Sequence, residues 1–207
     1  MRTALRYVAV LTLICVISAG ILAYVFQVTQ APIAVSRQKV TLSAVRTVLR
    51  QFDGLVDAAA CQAAIAEPGA PEMYAAFQAE AFVGAAIKVS DPDGFGGEVA
   101  FMVGVTADGR VHAIRLLSHK ETPGLGTKLA EEHFTSQFQA LEVPAAGLKV
   151  RKDGGSIQAI TGATISSRTA TRSATKAVEA FRKYSARVVS AAAAAPAATA
   201  AQGGPRG

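Results

Sequence analysis

Thr161-Gly162-Ala163-Thr164 places two hydroxyls where a short β-rich run ends and a helix-like run (Ile165-Ser166-Ser167-Arg168 and onward) begins. Helix N-termini carry unpaired N–H groups and the positive end of the helix dipole, so they suit a phosphate. A threonine there can contact a phosphate, and its hydroxyl can also carry one as a phosphodiester; Thr164 is the candidate. The plain alternative is that Thr161 or Thr164 is an N-cap, since Ser and Thr are favoured in that role. Taken alone, the four residues favour the cap. Arg168, Arg172 and Lys176 follow one turn apart. They read as a solvated helix face, a phosphate-neutralising face or a docking face for an acidic partner, and charge runs are most often solvated.

A second segment, His119-Lys120-Glu121-Thr122-Pro123-Gly124-Leu125-Gly126-Thr127-Lys128, follows a strand pattern. Pro-Gly and a further Gly punctuate it as a tight loop. Glycines let a backbone approach a planar ligand, and Leu125 can cover a ring face. Thr122 and Thr127 offer hydroxyls, while Lys128 offers a cation for a phosphate or a ring carbonyl. Without the first motif, a type II turn in a solvated charge cluster explains the loop equally well.

Together the two segments resemble the FMN-binding domain shared by the G subunit of the Rnf electron-transport complex and the C subunit of the sodium-pumping NADH:quinone reductase. The resemblance covers residues 80–184 and extends to an amino-terminal membrane anchor. It implies FMN attached covalently as a phosphoester to Thr164, the last residue of the Thr161-Gly162-Ala163-Thr164 motif. It also implies that the loop Glu121-Thr122-Pro123-Gly124-Leu125-Gly126 lies beside the isoalloxazine ring, with Lys128 two residues on as the cation offered to a phosphate or a ring carbonyl. Glu121 next to the ring would disfavour an anionic reduced flavin, and Lys128 would favour it. One departure stands out: the enzyme that transfers flavin to this family reads an Asp six residues before the acceptor, and this chain has Gln158 there.

The resemblance further implies an electron-relaying subunit of a membrane complex coupling NADH/ferredoxin electron flow to ion movement. Its partners would be the other membrane and iron–sulfur subunits, the flavin-transferring enzyme and membrane lipid. Its place would be the bacterial inner membrane, single-pass, with the main domain on the periplasmic side. The alternatives are the quinone-reductase homologue, a stand-alone membrane-tethered flavoprotein, and a non-redox assembly protein with vestigial motifs. Lys120 after His119 and the short chain make the Rnf member the better likeness.

The elements that must position these residues are legible in outline. Tyr7 to Phe26 carries no charged residue, and about 20 such residues span a bilayer. Arg2 and Arg6 precede it, and the run is longer than a signal-peptide core of about 7–15 residues. An uncleaved anchor over 1–30 follows, with a helical stalk (Pro32 to Leu49) and an Ala-rich connector filling 31–79. Residues 80–188 form the FMN-binding domain, and 189–207 a low-complexity tail expected to be disordered, with a helical extension through Ala195 as the alternative.

Within the domain, strands are expected at Ala81–Val89, Val99–Val105 and Val111–Leu117, the last two joined by an Asp108-Gly109 hairpin turn. Asp91 to Gly97 reads as a glycine-rich turn. A helix is expected over Leu129–Phe138, short strands at Leu148–Lys152 and Ser156–Ile160, and a final helix over Ile165–Val188. Its apolar side is Ala170, Ala174, Ala177, Val178 and Phe181. The class is α+β, with at least one antiparallel hairpin and room for parallel pairs.

Composition narrows the rest. The chain has 207 residues, 51% of them hydrophobic, and a formal charge of +6, with mean hydropathy +0.31. Aromatics make up 6% and do not interleave with the basic residues, so a base-stacking platform for nucleic acid is absent. Cys15 falls in the apolar run and Cys61 outside it, which excludes a disulfide between them in this topology. No Cys-x-x-Cys occurs for zinc, haem or an iron–sulfur centre. His112, His119 and His133 lack metal-ligand spacing, and no Gly-x-Gly-x-x-Gly follows a strand. Redox chemistry, if present, belongs to a bound cofactor, with no catalytic side chain or metal expected.

Overall fold

The structure, a computed structural model, describes residues 2–49, 52–79 and 81–194. The chain divides into two compact units, Met1–Leu42 and Ser43–Gly207. Helix α1 (Arg2–Val48) contains Pro32. Within Arg6–Val48 an 18-residue window reaches a mean hydropathy of 2.6 with none of it buried, so the helix is long and apolar enough to cross a membrane.

The second unit is built on five strands: β1 (Gly54–Val56), β2 (Met73–Gln78), β3 (Ala81–Gly94), β4 (Gly97–Thr106) and β5 (Val111–Ser118). They pair in sequence order, β1-β2-β3-β4-β5, and every pair is antiparallel. Short helix α2 (Ala58–Ile65) lies between β1 and β2, and its N-cap Asp57 accepts from the Ala60 N–H at 2.9 Å. After β5 come the 3₁₀ turn Gly126–Ala130, the one-turn helix α3 (Glu132–Thr135), the 3₁₀ turns Ser136–Phe138 and Arg151–Asp153, and long helix α4 (Thr164–Ala194).

Period-two alternation along the strands sends side chains to two buried faces. Met73, Ala75, Ile87, Val89, Phe101 and Val103 point to one face, where they meet Ala170, Ala174, Val178 and Phe181 of α4 and Cys61 and Ile65 of α2. Tyr74, Ala76, Ala86 and Met102 point to the other, against Ala44, Val45, Val48 and Leu49. Gly104 is required here: a Cβ on it would sit 1.8 Å from the Val48 carbonyl oxygen.

The α+β class and the Asp108-Gly109 hairpin match expectation, with Gly109 at φ +80° and its N–H on the Thr106 oxygen at 2.8 Å. Several elements differ. The segment read as connector supplies β1, α2 and β2; with the sheet covered on both sides, Ala75 and Ala76 are equally buried, which erases the alternation that marks a strand. The expected turn at Asp91 to Gly97 narrows to Phe95 and Gly96, because β3 continues to Gly94. The expected helix over Leu129–Phe138 breaks into 3₁₀ turns around α3, although Leu129, Phe134 and Phe138 are buried as a helical face would bury them. The two short strands near 148–160 reduce to a single parallel bridge, Val150 with Ile157. Gly155, whose Cβ would lie 1.9 Å from the Lys149 oxygen, pinches the chain there too tightly for a ladder. Helix α4 starts at Thr164 and runs past Val188 to Ala194; the rest of the tail lies outside the described residues.

Candidate functional site

The loop after β5 is shaped by Pro123 and Gly124. The Leu125 N–H reaches the Thr122 oxygen at 3.2 Å, Gly124 sits at φ +76°, and its N–H donates to Thr127 Oγ1 at 2.9 Å. That is the turn a Pro-Gly pair favours, with the positive φ on glycine. Glu121, at the loop's start, is 5% exposed. Its Oε2 accepts from Ser166 Oγ at 2.8 Å and its Oε1 lies 3.5 Å from the Gly96 N–H. Gly126 and Gly94 crowd the same carboxylate: a Cβ on either would come within 2.5 Å of Oε2 or 2.7 Å of Oε1, respectively. Glu121 is therefore a junction between the hairpin β3–β4, the Pro-Gly loop and the first turn of α4.

The second motif packs against the first through Gly162. At φ +80° it forms the turn before α4, where a Cβ would press on Leu125 Cδ2 at 3.1 Å. Ala163 is buried, and its oxygen accepts the first helical bond, from the Ser167 N–H at 3.0 Å. Ala163 thus occupies the N-cap position, and neither Thr161 nor Thr164 caps the helix. Ser167 Oγ instead accepts from the Ile160 N–H at 3.0 Å and donates to the Ala163 oxygen at 2.9 Å, closing the turn. Thr161 is exposed. Thr164 is half-buried on the first turn of α4, with its Oγ1 accepting from Lys152 Nζ at 3.4 Å.

The basic stripe is ion-paired, with its side chains 43%, 39% and 48% exposed. Arg168 grips Asp153 with two bonds of 2.7 Å. Arg172 holds Asp91 at 3.0 and 2.9 Å, and Lys176 reaches Asp91 at 3.1 Å. Asp91 is fully buried. Burial pushes its carboxyl up, but the bonds from Arg172, the Asp93 N–H and Lys176 outweigh this and hold it at about 2. The Arg168 guanidinium likewise lowers the Asp153 carboxyl. Whereas these three cations are paired with carboxylates, Lys152 has no carboxylate within ion-pair distance among the described residues. Its hydrogen-bond partner is the Thr164 hydroxyl.

The predicted residues therefore divide. Glu121, Leu125, Gly126, Gly162, Ala163 and Thr164 come together in one packed corner. Thr122 is exposed on the outer turn and Lys128 half-buried in the 3₁₀ turn; neither side chain bonds to the Thr164 turn among the described residues. The Glu121 carboxylate also braces protein groups, through Ser166 and Gly96. Sequence reasoning missed Ser166, Lys152, Gly94 and Gly96. The glycine spacing around Phe95 was the one available signal, because close backbone approach is a common reason for glycine in a strand end.

Cys15 and Cys61 are both free thiols. Burial pushes the Cys61 thiol up to about 11, which makes it a poor nucleophile.

The FMN-binding domain family matches residues 94–179, a span that contains every residue of this corner. The G subunit of the Pseudomonas aeruginosa ion-translocating oxidoreductase complex is 33% identical, covering 87% of this chain and 89% of its own length. The chain belongs to the G-subunit family of ion-translocating oxidoreductase (Rnf) complexes. The G subunit of the Clostridium ljungdahlii proton-translocating ferredoxin:NAD(+) oxidoreductase complex is also 33% identical, with 82% of this chain and 86% of its own covered. The crystal structure of Shewanella oneidensis NqrC aligns with 66% of this Rnf-family chain and 82% of its own, at 16% identity and a TM-score of 0.48.

Proposed function

We propose that this chain is the electron-transfer G subunit of a membrane-bound ion-translocating oxidoreductase, carrying FMN as a phosphodiester on Thr164. The observation that carries the reading is the surroundings of the Thr164 hydroxyl. It heads α4, it lies 3.4 Å from a lysine with no acidic partner among the described residues, and Gly162 keeps the turn before it free of a side chain.

These residues fit the group. A phosphate on Oγ1 would be held by the Lys152 ammonium and the first-turn N–H groups of α4, which no side chain caps among the described residues. FMN, when bound, supplies one- and two-electron chemistry at its ring. The chain's own part is to anchor and orient. In attachment, Thr164 Oγ1 would accept the FMN phosphoryl group from a flavin dinucleotide donor, with its proton passing to a base of the transferring enzyme and adenylate as the leaving group. The Glu121–Ser166 bond then fixes the Pro-Gly loop relative to the helix that bears the tether. Gln158, where the family pattern has Asp, is held only through its backbone by the Gln137 amide (2.7 and 3.3 Å), so its exposed side chain remains readable by that enzyme.

Helix α1 provides the membrane anchor, with the second unit on the extracytoplasmic side, where a covalent tether keeps FMN from diffusing away. Electrons pass between membrane and iron–sulfur subunits of the complex through this chain. The test is in-gel flavin fluorescence of the denatured full-length protein, made with its transferase, followed by peptide mass mapping. The wild type should give a fluorescent band with FMN on the Thr164 peptide. Thr164→Val should be dark yet folded, since Val keeps the shape and loses one long, half-exposed hydrogen bond worth at most about 1 kcal/mol. A fluorescent Thr164→Val band would refute the attachment.

A further inference from the structure

Val150 and Ile157 form a parallel bridge, in which the Arg151 N–H donates to the Ile157 oxygen at 2.7 Å and the Ile157 N–H to the Lys149 oxygen at 3.3 Å. Both bridge residues are buried. The period-two alternation of extended chain therefore turns their neighbours Lys149, Arg151, Ser156 and Gln158 outward, and all four are exposed. Lys152, the next residue of the same turn, is exposed too and bonds the Thr164 hydroxyl. This outward side carries cations and neutral groups. Asp153 is the one carboxylate between Leu148 and Thr164, and Arg168 holds it with two bonds of 2.7 Å. Among the described residues, Lys149, Arg151 and Lys152 have no carboxylate within ion-pair distance; Glu131 and Glu132 of α3 pair with none of them.

Charge runs are most often solvated, but two observations set this one apart. It is rigidly mounted. A Cβ on Gly155 would lie 1.9 Å from the Lys149 oxygen, so the two chain segments are pressed together there, and Arg151 Nε bonds the Ser156 oxygen across them at 3.3 Å. Gln137 clamps the far end: its Oε1 accepts from the Gln158 N–H at 2.7 Å and its Nε2 donates to the Gln158 oxygen at 3.3 Å. With both main-chain groups of Gln158 engaged, a visiting protein finds no free backbone there for strand addition and must read side chains. The second observation is position. Lys152 Nζ stands 3.4 Å from Thr164 Oγ1, so a protein whose active site reaches that hydroxyl comes up against this turn.

We propose that Lys149, Arg151 and Gln158 form the docking surface for the flavin-transferring enzyme, which meets the two cations with a carboxylate-bearing rim. This rests on the reading of Thr164 as the tether. Exposed rim charges act on encounter and register more than on the chemical step, so their mark is on the KM for the protein substrate and on its dependence on salt.

The test uses the full-length protein in detergent, the transferring enzyme and a flavin dinucleotide, with attachment read by peptide mass and KM measured for each substrate in turn. The proteins are wild type, Lys149→Glu, Arg151→Glu, Arg151→Lys and Arg46→Glu, the last an equal charge reversal at an exposed site on α1. At low salt Lys149→Glu and Arg151→Glu should each raise the KM for the protein roughly threefold to tenfold, with kcat kept within about twofold. Arg151→Lys and Arg46→Glu should stay close to wild type. At about 0.5 M salt the differences should vanish, since screening is then nearly complete beyond a few ångströms. If Arg151→Glu fails to fold, Lys149→Glu, whose side chain makes no hydrogen bond among the described residues, decides alone. Equal KM values for the protein at low salt would overturn the docking surface. A raised KM for the flavin dinucleotide alone would overturn it as well and give the cations to the donor's phosphates. Wild-type protein without attached flavin would instead overturn the tether. Direct binding of the transferring enzyme then tests the surface: salt-sensitive binding to wild type and Arg46→Glu but not to Lys149→Glu supports it, and equal binding to all three overturns it.

Discussion

Replacing Asp91 by Asn removes the one fully buried carboxylate of the ion-pair group that fastens the end of β3 to α4, the helix that begins at Thr164. The carboxyl is held at about 2 against an ordinary 3.8. At about 1.4 kcal/mol per tenfold change in proton affinity, that gap is worth about 2 kcal/mol. The Arg172 and Lys176 side chains are 39% and 48% exposed, so solvent screening lowers the expected contribution to roughly 1–2 kcal/mol. The folded-state value is depressed, so this stability is complete above the unfolded value near 4 and is lost as pH falls through about 2. Urea unfolding of the full-length protein in detergent, followed by tyrosine emission (the chain has no Trp), reads it through buried Tyr74 and Tyr184. Wild type should lose roughly 1–2 kcal/mol more than Asp91→Asn between pH 5 and pH 2. Glu67 and Asp153, lowered by Lys183 and Arg168, titrate in both proteins and cancel in the comparison. Parallel pH profiles for the two proteins would refute the assignment of this charge group as the fastening.

Lys152→Gln should slow flavin attachment at Thr164 in a timed transferase reaction while leaving unfolding within about 0.5 kcal/mol of wild type, because the side chain is exposed; Lys152→Arg should restore most of the rate if charge is what matters. Gly96→Ala drives a methyl into the Lys120 backbone and should cost about 1–3 kcal/mol in the same unfolding assay. It should also loosen the Pro-Gly loop, seen as faster amide exchange at Glu121 to Leu125.

What the sequence could show follows from the range of each interaction. The Asp108-Gly109 hairpin, the Pro-Gly turn and the start of α4 are set by neighbouring residues, and these were legible within a residue or so. Strand β2 was not, because a strand covered on both faces has no polar half: Tyr74, Ala75 and Ala76 are all buried. The charge stripe shows the deeper reason. Arg168, Arg172 and Lys176 look free along the helix, and nothing local reveals that their partners are Asp153 and Asp91, the latter 81 residues from Arg172. Finding those partners changes the chemistry, since it commits three cations to carboxylates and brings forward Lys152, beside the Thr164 hydroxyl, which sequence reasoning had passed over. The same holds for Glu121. Its motif suggested a group beside a ligand, and nothing local reveals that its carboxylate also accepts from Ser166, 45 residues away. Motifs found the corner; long-range pairing decides which side chains in it remain free to bind.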